Sequence, residues 1–547
     1  LKPFWFKLCH RRVPESAMPN GTGHIVLVDG VHQAAPIRPN LRASDNKRAS
    51  GASANKMQIP KGRSTQARHA SQRRSKLGGQ IVFRLETKWK LIQAICSSFD
   101  KWREASVADD DWEVLWSDYG IPADRFAKLR PYQRVNHFIG MSAICLKSSL
   151  AENLKRMQDV LPTEYNFFPE TWVLPKALAS FKQQFSAKQK DQTFIIKPAN
   201  SSLGRGIFLV RRVVKVPTSF ARPLVAQRYI DRPLLLEGHK FDLRLYVLVT
   251  GCVPLRIFLH REGLVRLATT LYEEPKGDNI ENPMMHLTNY SINALSPNFV
   301  ENSRPWDGHD GHKRSLKAVV NELRKVGRDV DRMMQDIEDV VIKTLIAVQP
   351  TLEHLYRKFQ FHDVTNALCF EVLGFDVMLD EELKPWLLEV NSSPAFHTTS
   401  ELDSVVKSQV VRDALQLLNV SPKLKQRYKN EFVQTLKERA MGLPRRVRSA
   451  DAKMLEEEAL SQERTAWETQ ACNAGGYKQL APALGERDEL CTKCLQAAAG
   501  IWQTLVSPQA KVLSSNRAGT RVATPPCRAP SVRRKHAAVP HHPPLLG

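Results

Sequence analysis

Residues 369–394 read CFEVLGFDVMLDEELKPWLLEVNSSP, and the rest of the chain is organised around them. Two apolar runs, 370–379 and 386–390, flank a charged tip at 380–384. That is the pattern of a β-hairpin whose strands are buried enough to lose clean alternation. Glu371, Asp376 and Glu389 sit inside the runs, and Asn391 follows the second. A carboxylate in a core strand is costly unless a cation compensates it. Two carboxylates and an amide directed into one space make an all-oxygen site of the kind that suits magnesium. The competing reading is a pair of edge-strand charges that face water or pair with arginines.

The Glu389-Val390-Asn391-Ser392-Ser393-Pro394 ending adds specificity. With it, the segment resembles the magnesium- and ATP-binding hairpin of tubulin tyrosine ligase-like enzymes, an ATP-grasp family. The resemblance implies that Asp376, Glu389 and Asn391 hold the metal and the triphosphate. It also implies an α/β (α+β) ATP-grasp fold of three lobes, with nucleotide between the central and C-terminal lobes.

Working outward, TFIIKPANSSLGRGIFLV at 193–210 places two β-rich runs around a polar loop that ends in Gly204-Arg205-Gly206. Glycine lets such a loop fold over phosphates with its amides turned inward. A tight hairpin is the simpler alternative. The loop is neither a Walker motif nor a dinucleotide fingerprint, since a strand rather than a helix follows it. By resemblance, Lys197 contacts the α/β-phosphates. In LVAQRYIDRPLLLEGHKFDLRLYVLVT, 224–250, the end of the first run resembles an adenine-binding linker. There Gln227 would read the base edge, with backbone contacts from Arg228 and Ile230. The second run alternates, with Phe241, Leu243, Leu245 and Val247 on one face and Lys240, Asp242, Arg244 and Tyr246 on the other. Alone, that polar face reads as a salt-bridge ladder. The resemblance assigns Lys240 and Asp242 to ribose and phosphate, and Arg244, with Arg266, to the γ-phosphate and the carboxylate being activated. Thr288 and Asn289 in MHLTNYSIN would line the ATP and amine pocket, while His286 reads as structural.

Upstream, 82–165 is similar to the family's small N-terminal lobe. IVFRL and WEVLWSDYG read as strands, 88–105 as a helix, and QRVNHFIG carries a family signature. The family's ATP-contacting lysine in that region falls on Arg134. The lobes are expected at 79–165, 166–260 and 261–420, and 315–358 has the helical spacing of core packing. Residues 421–450 carry nine basic side chains against two acids, a net of +7, and read as a basic helical extension. Residues 1–78 hold fifteen Lys or Arg against three acids and read as a disordered basic tail; 451–547 is expected to be mostly disordered.

The 547 residues carry 80 Lys or Arg and 56 Asp or Glu, a net of +24, which suggests a polyanionic partner. Nine scattered cysteines argue against a disulfide frame. Cys491 and Cys494 form one CxxC without a second pair at ligand spacing, which reads as chance in a flexible tail. No apolar run is long enough to span a bilayer. There is no kinase catalytic loop, so the phosphoryl acceptor expected from the resemblance is a carboxylate. An amine would then displace phosphate from the acyl-phosphate.

The resemblance is nearest the polyglutamylase branch. It implies ATP and Mg2+ as cofactors, free glutamate as the amine, and the acidic tails of tubulin in microtubules as acceptor. It implies neither nucleic acid nor membrane as partner, and a cytoplasmic, cytoskeletal location, the cilium or basal body included. A glycylase, a tyrosine ligase or an inactive microtubule-binding protein are the alternatives. Leu203 and Ser392 depart from residues common in that branch, which leaves open whether chains are started or lengthened.

Overall fold

A computed structural model describes residues 79–506 apart from 107–108, 186–191, 202, 305–309, 364, 443–448 and 483–485. The basic tail expected at 1–78 and the last part of the expected C-terminal tail, 507–547, lie outside the described residues.

The first sheet is parallel, in the order β2-β1-β3-β4. It comprises β1 (Ile81–Glu86), β2 (Trp102–Glu104), β3 (Val114–Ser117) and β4 (Arg134–Val135), with helix α1 (Lys90–Ser97) between β1 and β2. The helix expected over 88–105 therefore stops at Ser97. Its last third turns back as β2, because Trp102 packs on Phe83 and Phe99 rather than continuing a helical stripe. Helix α2 (Lys147–Val160) leads to an antiparallel sheet of β5 (Thr171–Leu174), β6 (Phe194–Pro198), β7 (Phe208–Val210) and β8 (Leu224–Arg228), in the order β5-β8-β6-β7.

The largest sheet starts with the short β9 (Leu235–Leu236) and the long hairpin β10 (His239–Cys252) and β11 (Leu255–Leu267), then takes in β12 (Lys313–Ser315). Helices α3 (Leu316–Lys325), α4 (Val330–Ile346) and α5 (Gln349–Phe359) precede the acidic hairpin, β13 (Glu371–Leu379) and β14 (Pro385–Asn391). The order is β12-β11-β10-β13-β14. A lobe boundary at 260 would cut β11 in two, so that expectation is corrected: β10 and β11 belong to the same sheet as the acidic hairpin.

Alternation along β10 separates two cores. Phe241, Leu243, Leu245 and Val247 pack with Met333, Ile337 and Val340 of α4. Tyr246 and Leu248 pack with Val406 and Val410 of α6 (Glu401–Leu417). The site residues of β10 share the Tyr246 face.

The basic helix is α7 (Pro422–Ala440). Over the described residues of 451–506 the expectation of disorder fails. Helix α8 (Ala450–Ala474), strand β15 (Tyr477–Ala481) and helix α9 (Glu486–Val506) fold back onto the sheet. β15 pairs antiparallel with β11, Leu259 opposite Lys478, covering an edge that would otherwise expose backbone donors and acceptors. Tyr477 is fully buried, and its hydroxyl donates to the Val410 carbonyl at 3.2 Å. Cys491 and Cys494 are buried on α9 among core residues, so the CxxC is a core-facing helical pair and not part of a loose tail. Among the described residues no helix is long and apolar enough to cross a membrane.

Candidate active site

Strand register builds the site. Asp242 on β10 lies opposite Arg266 on β11, and Arg244 opposite Asp376 on β13. Across the acidic hairpin, Asp376 lies opposite Glu389 and Gly374 opposite Asn391. Cations thus face carboxylates across β11, β10 and β13, and a second carboxylate, Glu389, follows on β14. Arg244 donates from Nε and Nη2 to Asp376 Oδ1 and Oδ2 at 2.5 and 3.0 Å. Arg266 does the same to Asp242 at 2.7 and 2.5 Å, and its Nη2 lies 3.0 Å from Asp376 Oδ2. Burial alone would raise the Asp376 carboxyl, but the Arg244 and Arg266 guanidiniums outweigh it and hold the group well below the usual carboxylate range. At Asp242 burial wins and the carboxyl sits above its ordinary value, although Arg266 opposes this and the Thr288 hydroxyl bonds it. Among the described residues the Nη1 groups of both arginines carry no hydrogen bond, which leaves a donor on each for a further anion. The two readings of these carboxylates, ligand set and arginine partners, thus meet in one ladder.

The register slips by one between Glu389 and Leu387, so Leu388 is an extra residue in β14. Bulges of this kind re-aim neighbouring side chains; here Leu388 and Glu389 both line the cleft. Asn391 Nδ2 is 3.3 Å from Glu389 Oε1, which ties the two ends of the acidic set together.

A cleft separates this ladder from the β5-β8-β6-β7 sheet. Lys197, Gln227, Arg228, Ile230, Lys240, Asp242, Thr288, Asn289, Asp376 and Glu389 all line it. Arg244, Arg266 and Asn391 stand just behind this lining, each bonded to a residue of the ladder. Lys197 is the penultimate residue of β6, where burial pushes its ammonium down to about 8 against the attraction of Glu389. Its Nζ donates to Gln227 Oε1 at 2.8 Å, and Gln227 Nε2 donates to Thr171 Oγ1 at 3.0 Å. The Gln227 amide thus helps to orient Lys197, using one of its two donors and one acceptor lone pair. The Arg228 amide is donated to the Glu170 carbonyl at 2.8 Å.

The loop after β6 needs its glycines. Leu203, Gly204 and Gly206 all have φ between 64° and 70°. A Cβ on Gly204 would sit 2.6 Å from Ile292 Cδ1 and 3.2 Å from Asn289 Oδ1. The loop is fastened at two points: Lys147 Nζ donates to the Ser201 carbonyl at 3.0 Å, and Ser291 Oγ to the Leu203 carbonyl at 2.9 Å.

Lys147 is the residue that sequence reasoning missed. Its Nζ is also 2.9 Å from Glu389 Oε2, so one α2 ammonium links the loop to the acidic hairpin. Arg134, named in its place, lies on β4 and spends its Nη1 on the Pro131 and Gln133 carbonyls, away from the cleft. Thirteen residues separate the two, and only the placement of α2 shows which one reaches the site. A second cationic cluster was also missed. Lys313 and Lys407 each lie 2.8 Å from an oxygen of buried Asp403, and the Lys313 ammonium sits 3.9 Å above the Tyr290 ring. Two ammonium groups on one carboxylate leave a net positive charge close to Arg244.

An antiparallel sheet bearing this ladder, facing a glycine-bearing loop led by Lys-Pro across a cleft, defines a mixed α/β protein of the ATP-grasp type. The description "Tubulin-tyrosine ligase family" matches residues 126–428, more than half of the chain. The chain belongs to the tubulin-tyrosine ligase family. It is 40% identical over 415 residues to a probable beta-tubulin polyglutamylase of Tetrahymena thermophila, an alignment covering 76% of this chain and 34% of that protein. It is 41% identical over 403 residues to the tubulin polyglutamylase TTLL6 of Homo sapiens, covering 74% of this chain and 44% of the relative. To the tubulin polyglutamylase TTLL7 of Xenopus tropicalis it is 41% identical over 354 residues, covering 64% and 38%. The chain thus spans between about a third and a half of the length of these relatives.

Proposed function

We propose that this chain is the catalytic part of an ATP-dependent tubulin polyglutamylase, which joins glutamate to side-chain carboxylates of glutamates in acidic tubulin tails. The observation that carries the reading is the ladder Arg266–Asp242, Arg244–Asp376–Glu389 facing Lys197 across the cleft. ATP is the phosphoryl donor. An oxygen of the acceptor carboxylate attacks the γ-phosphorus, ADP leaves, and an acyl-phosphate forms. The amine nitrogen of glutamate then attacks the acyl carbon, phosphate leaves with the former carboxylate oxygen, and the amine releases a proton as the amide forms.

A carboxylate is already anionic, so no general base is needed for the first step; the barrier is repulsion between two anions. Arg244 and Arg266 answer that barrier with fixed guanidiniums whose orientation is set in advance by Asp376 and Asp242. Lys197 and Lys147 supply point charges to the phosphates. The donor set of Asp376, Glu389 and Asn391 fits a hard divalent ion, because all three offer oxygen and the register places them side by side. Magnesium bound there supplies charge neutralisation of the phosphate oxygens. The Lys313–Lys407–Asp403 cluster, net positive and next to Arg244, suits a carboxylate of the free amino acid.

The basic helix suits a microtubule surface, with part of its charge compensated internally. Lys425 is 3.1 Å from Glu113 Oε1, and both Lys425 and Lys429 pair with Asp111. Those contacts fix the helix against the first sheet and leave Lys437 and Arg439, further along it, to meet an acidic partner.

The test is incubation with microtubules, ATP and, in separate reactions, glutamate, glycine or tyrosine, followed by intact mass of the tubulins. Mass added in glutamate steps supports the reading. Addition only with glycine or tyrosine replaces it with a glycylase or tyrosine ligase, and no addition in any reaction refutes ligation of tubulin.

A further inference from the structure

Lys240 is buried to 2% of its surface and lines the cleft, yet it makes no ion pair among the described residues. Its neighbours are aromatic. Its Nζ lies 3.8 Å from the centroid of the Tyr229 ring and 5.5 Å from that of Tyr272. Ring faces compensate an ammonium only in part, so the residue is held ready for an anion that the protein does not supply. Burial, with Lys197 nearby, pushes its proton affinity well below the ordinary lysine value.

What fixes the rings is a relay from the loop that follows β11. His286 Nε2 is 3.0 Å from the Asn279 carbonyl, and its Nδ1 is 3.0 Å from the Tyr229 hydroxyl. A carbonyl only accepts, so Nε2 carries the proton, and Nδ1 of the neutral ring accepts from Tyr229. Burial and Lys240 push the imidazole down to about 4, which agrees with that neutral form. The imidazole stands nearly perpendicular to both tyrosine rings, at 85° and 89°. Tyr272 is held with it: its side chain hydrogen-bonds that of Tyr229, its hydroxyl donates to the Asp231 carbonyl at 2.6 Å and its amide to the Gly238 carbonyl at 2.9 Å. Asn279 is anchored in turn: its side chain accepts from the Lys276 amide at 2.8 Å and donates to the Glu274 carbonyl at 3.0 Å. The relay therefore runs from the loop at 274–279 through His286 and Tyr229 to Lys240.

We propose that His286 is a positioning residue for nucleotide binding, acting through Tyr229 to hold the aromatic box that presents the Lys240 ammonium to the anionic part of ATP. The proposal rests on the reading of the cleft as the nucleotide site. It goes beyond the expectation that His286 is structural: the imidazole lines the cleft, and its one accepting nitrogen is committed to the residue that carries the box.

The experiment is equilibrium binding of ATP to the full chain, with ATP-dependence of turnover alongside. Tyr229→Phe keeps the ring and removes the hydroxyl; His286→Leu removes the acceptor; His286→Gln restores an acceptor and a donor. Loss of one neutral hydrogen bond corresponds to about fivefold weaker binding. The expected result is about that loss, with a matching rise in KM for ATP, in Tyr229→Phe and His286→Leu. Substantial recovery is expected in His286→Gln, with kcat at saturating ATP changed by less than about twofold. The double variant Tyr229→Phe/His286→Leu should be no worse than either single one, and neither change should add to Lys240→Met. Binding equal to wild type in Tyr229→Phe, or effects fully additive with Lys240→Met, would overturn the positioning role while leaving the nucleotide site standing. A wild-type chain that binds no ATP would overturn both.

Discussion

Glu468 on α8 is the counter-ion of two arginines, and its removal should be felt throughout the fold. The side chain is 1% exposed. Its Oε2 lies 2.5 Å from Arg256 Nη1 on β11, and its Oε1 2.9 Å from Arg464 Nε. Arg464 also donates to the carbonyls of Thr250 at 2.5 Å and Asn366 at 3.0 Å, tying the end of β10 to the chain entering β13. Two guanidiniums share one carboxylate, so Glu468→Ala leaves two buried positive charges with none. Breaking a buried pair by deleting one partner costs about 3–5 kcal/mol. In a chain of this size that corresponds to a fall in melting temperature of roughly 5 °C. Thermal unfolding followed by circular dichroism reads it. Arg256→Met/Glu468→Met should recover part of the loss, because the residual charge is then Arg464 alone, whose carbonyl contacts persist. A Glu468→Ala variant melting within about 1 °C of wild type would refute the view that the segment beyond the family match is integral to the folded unit.

Two further outcomes follow from the site. Lys147→Met removes both the Glu389 ion pair and the Ser201 bond, and should weaken ATP at least about tenfold in equilibrium binding while circular dichroism stays unchanged. Burial alone would raise the Asp403 carboxyl, but Lys407 and Lys313 outweigh it and hold it well below the usual range. A carboxyl with a depressed folded value contributes stability that is complete above its unfolded value of about 4 and is lost as pH falls below it. Melts of wild type and Asp403→Asn should therefore differ by a constant amount from pH 7 to about pH 4 and converge below; a gap that closes above pH 5 would contradict the assignment.

The acidic hairpin was legible because its information is local: apolar runs, a charged tip and the Glu-Val-Asn ending lie within 26 consecutive residues. The ladder was legible for a related reason, since period two along β10 puts Asp242 and Arg244 on one face whatever their partners. Lys147 was not, because nothing in CLKSSL marks which helical lysine will meet a carboxylate 242 positions later. The contacts of Gln227 with Thr171 and Lys197 were not legible either, since those partners lie 56 and 30 positions away. The helices after 450 escaped for another reason. Their apolar residues are sparse and interleaved with charge, and what orders them is pairing of β15 with β11 and a buried ion pair, both contacts over 200 residues in sequence.

In the proposed reaction the acceptor carboxylate is phosphorylated by ATP before the amide forms. A synthetic glutamate-rich tail peptide with 18O in its side-chain carboxylates, incubated with the chain, ATP, magnesium and glutamate, tests this through mass spectrometry of the released inorganic phosphate. The expected result is one 18O atom in phosphate for each amide formed, with no transfer in Glu389→Gln. Amide formation accompanied by unlabelled phosphate would contradict it.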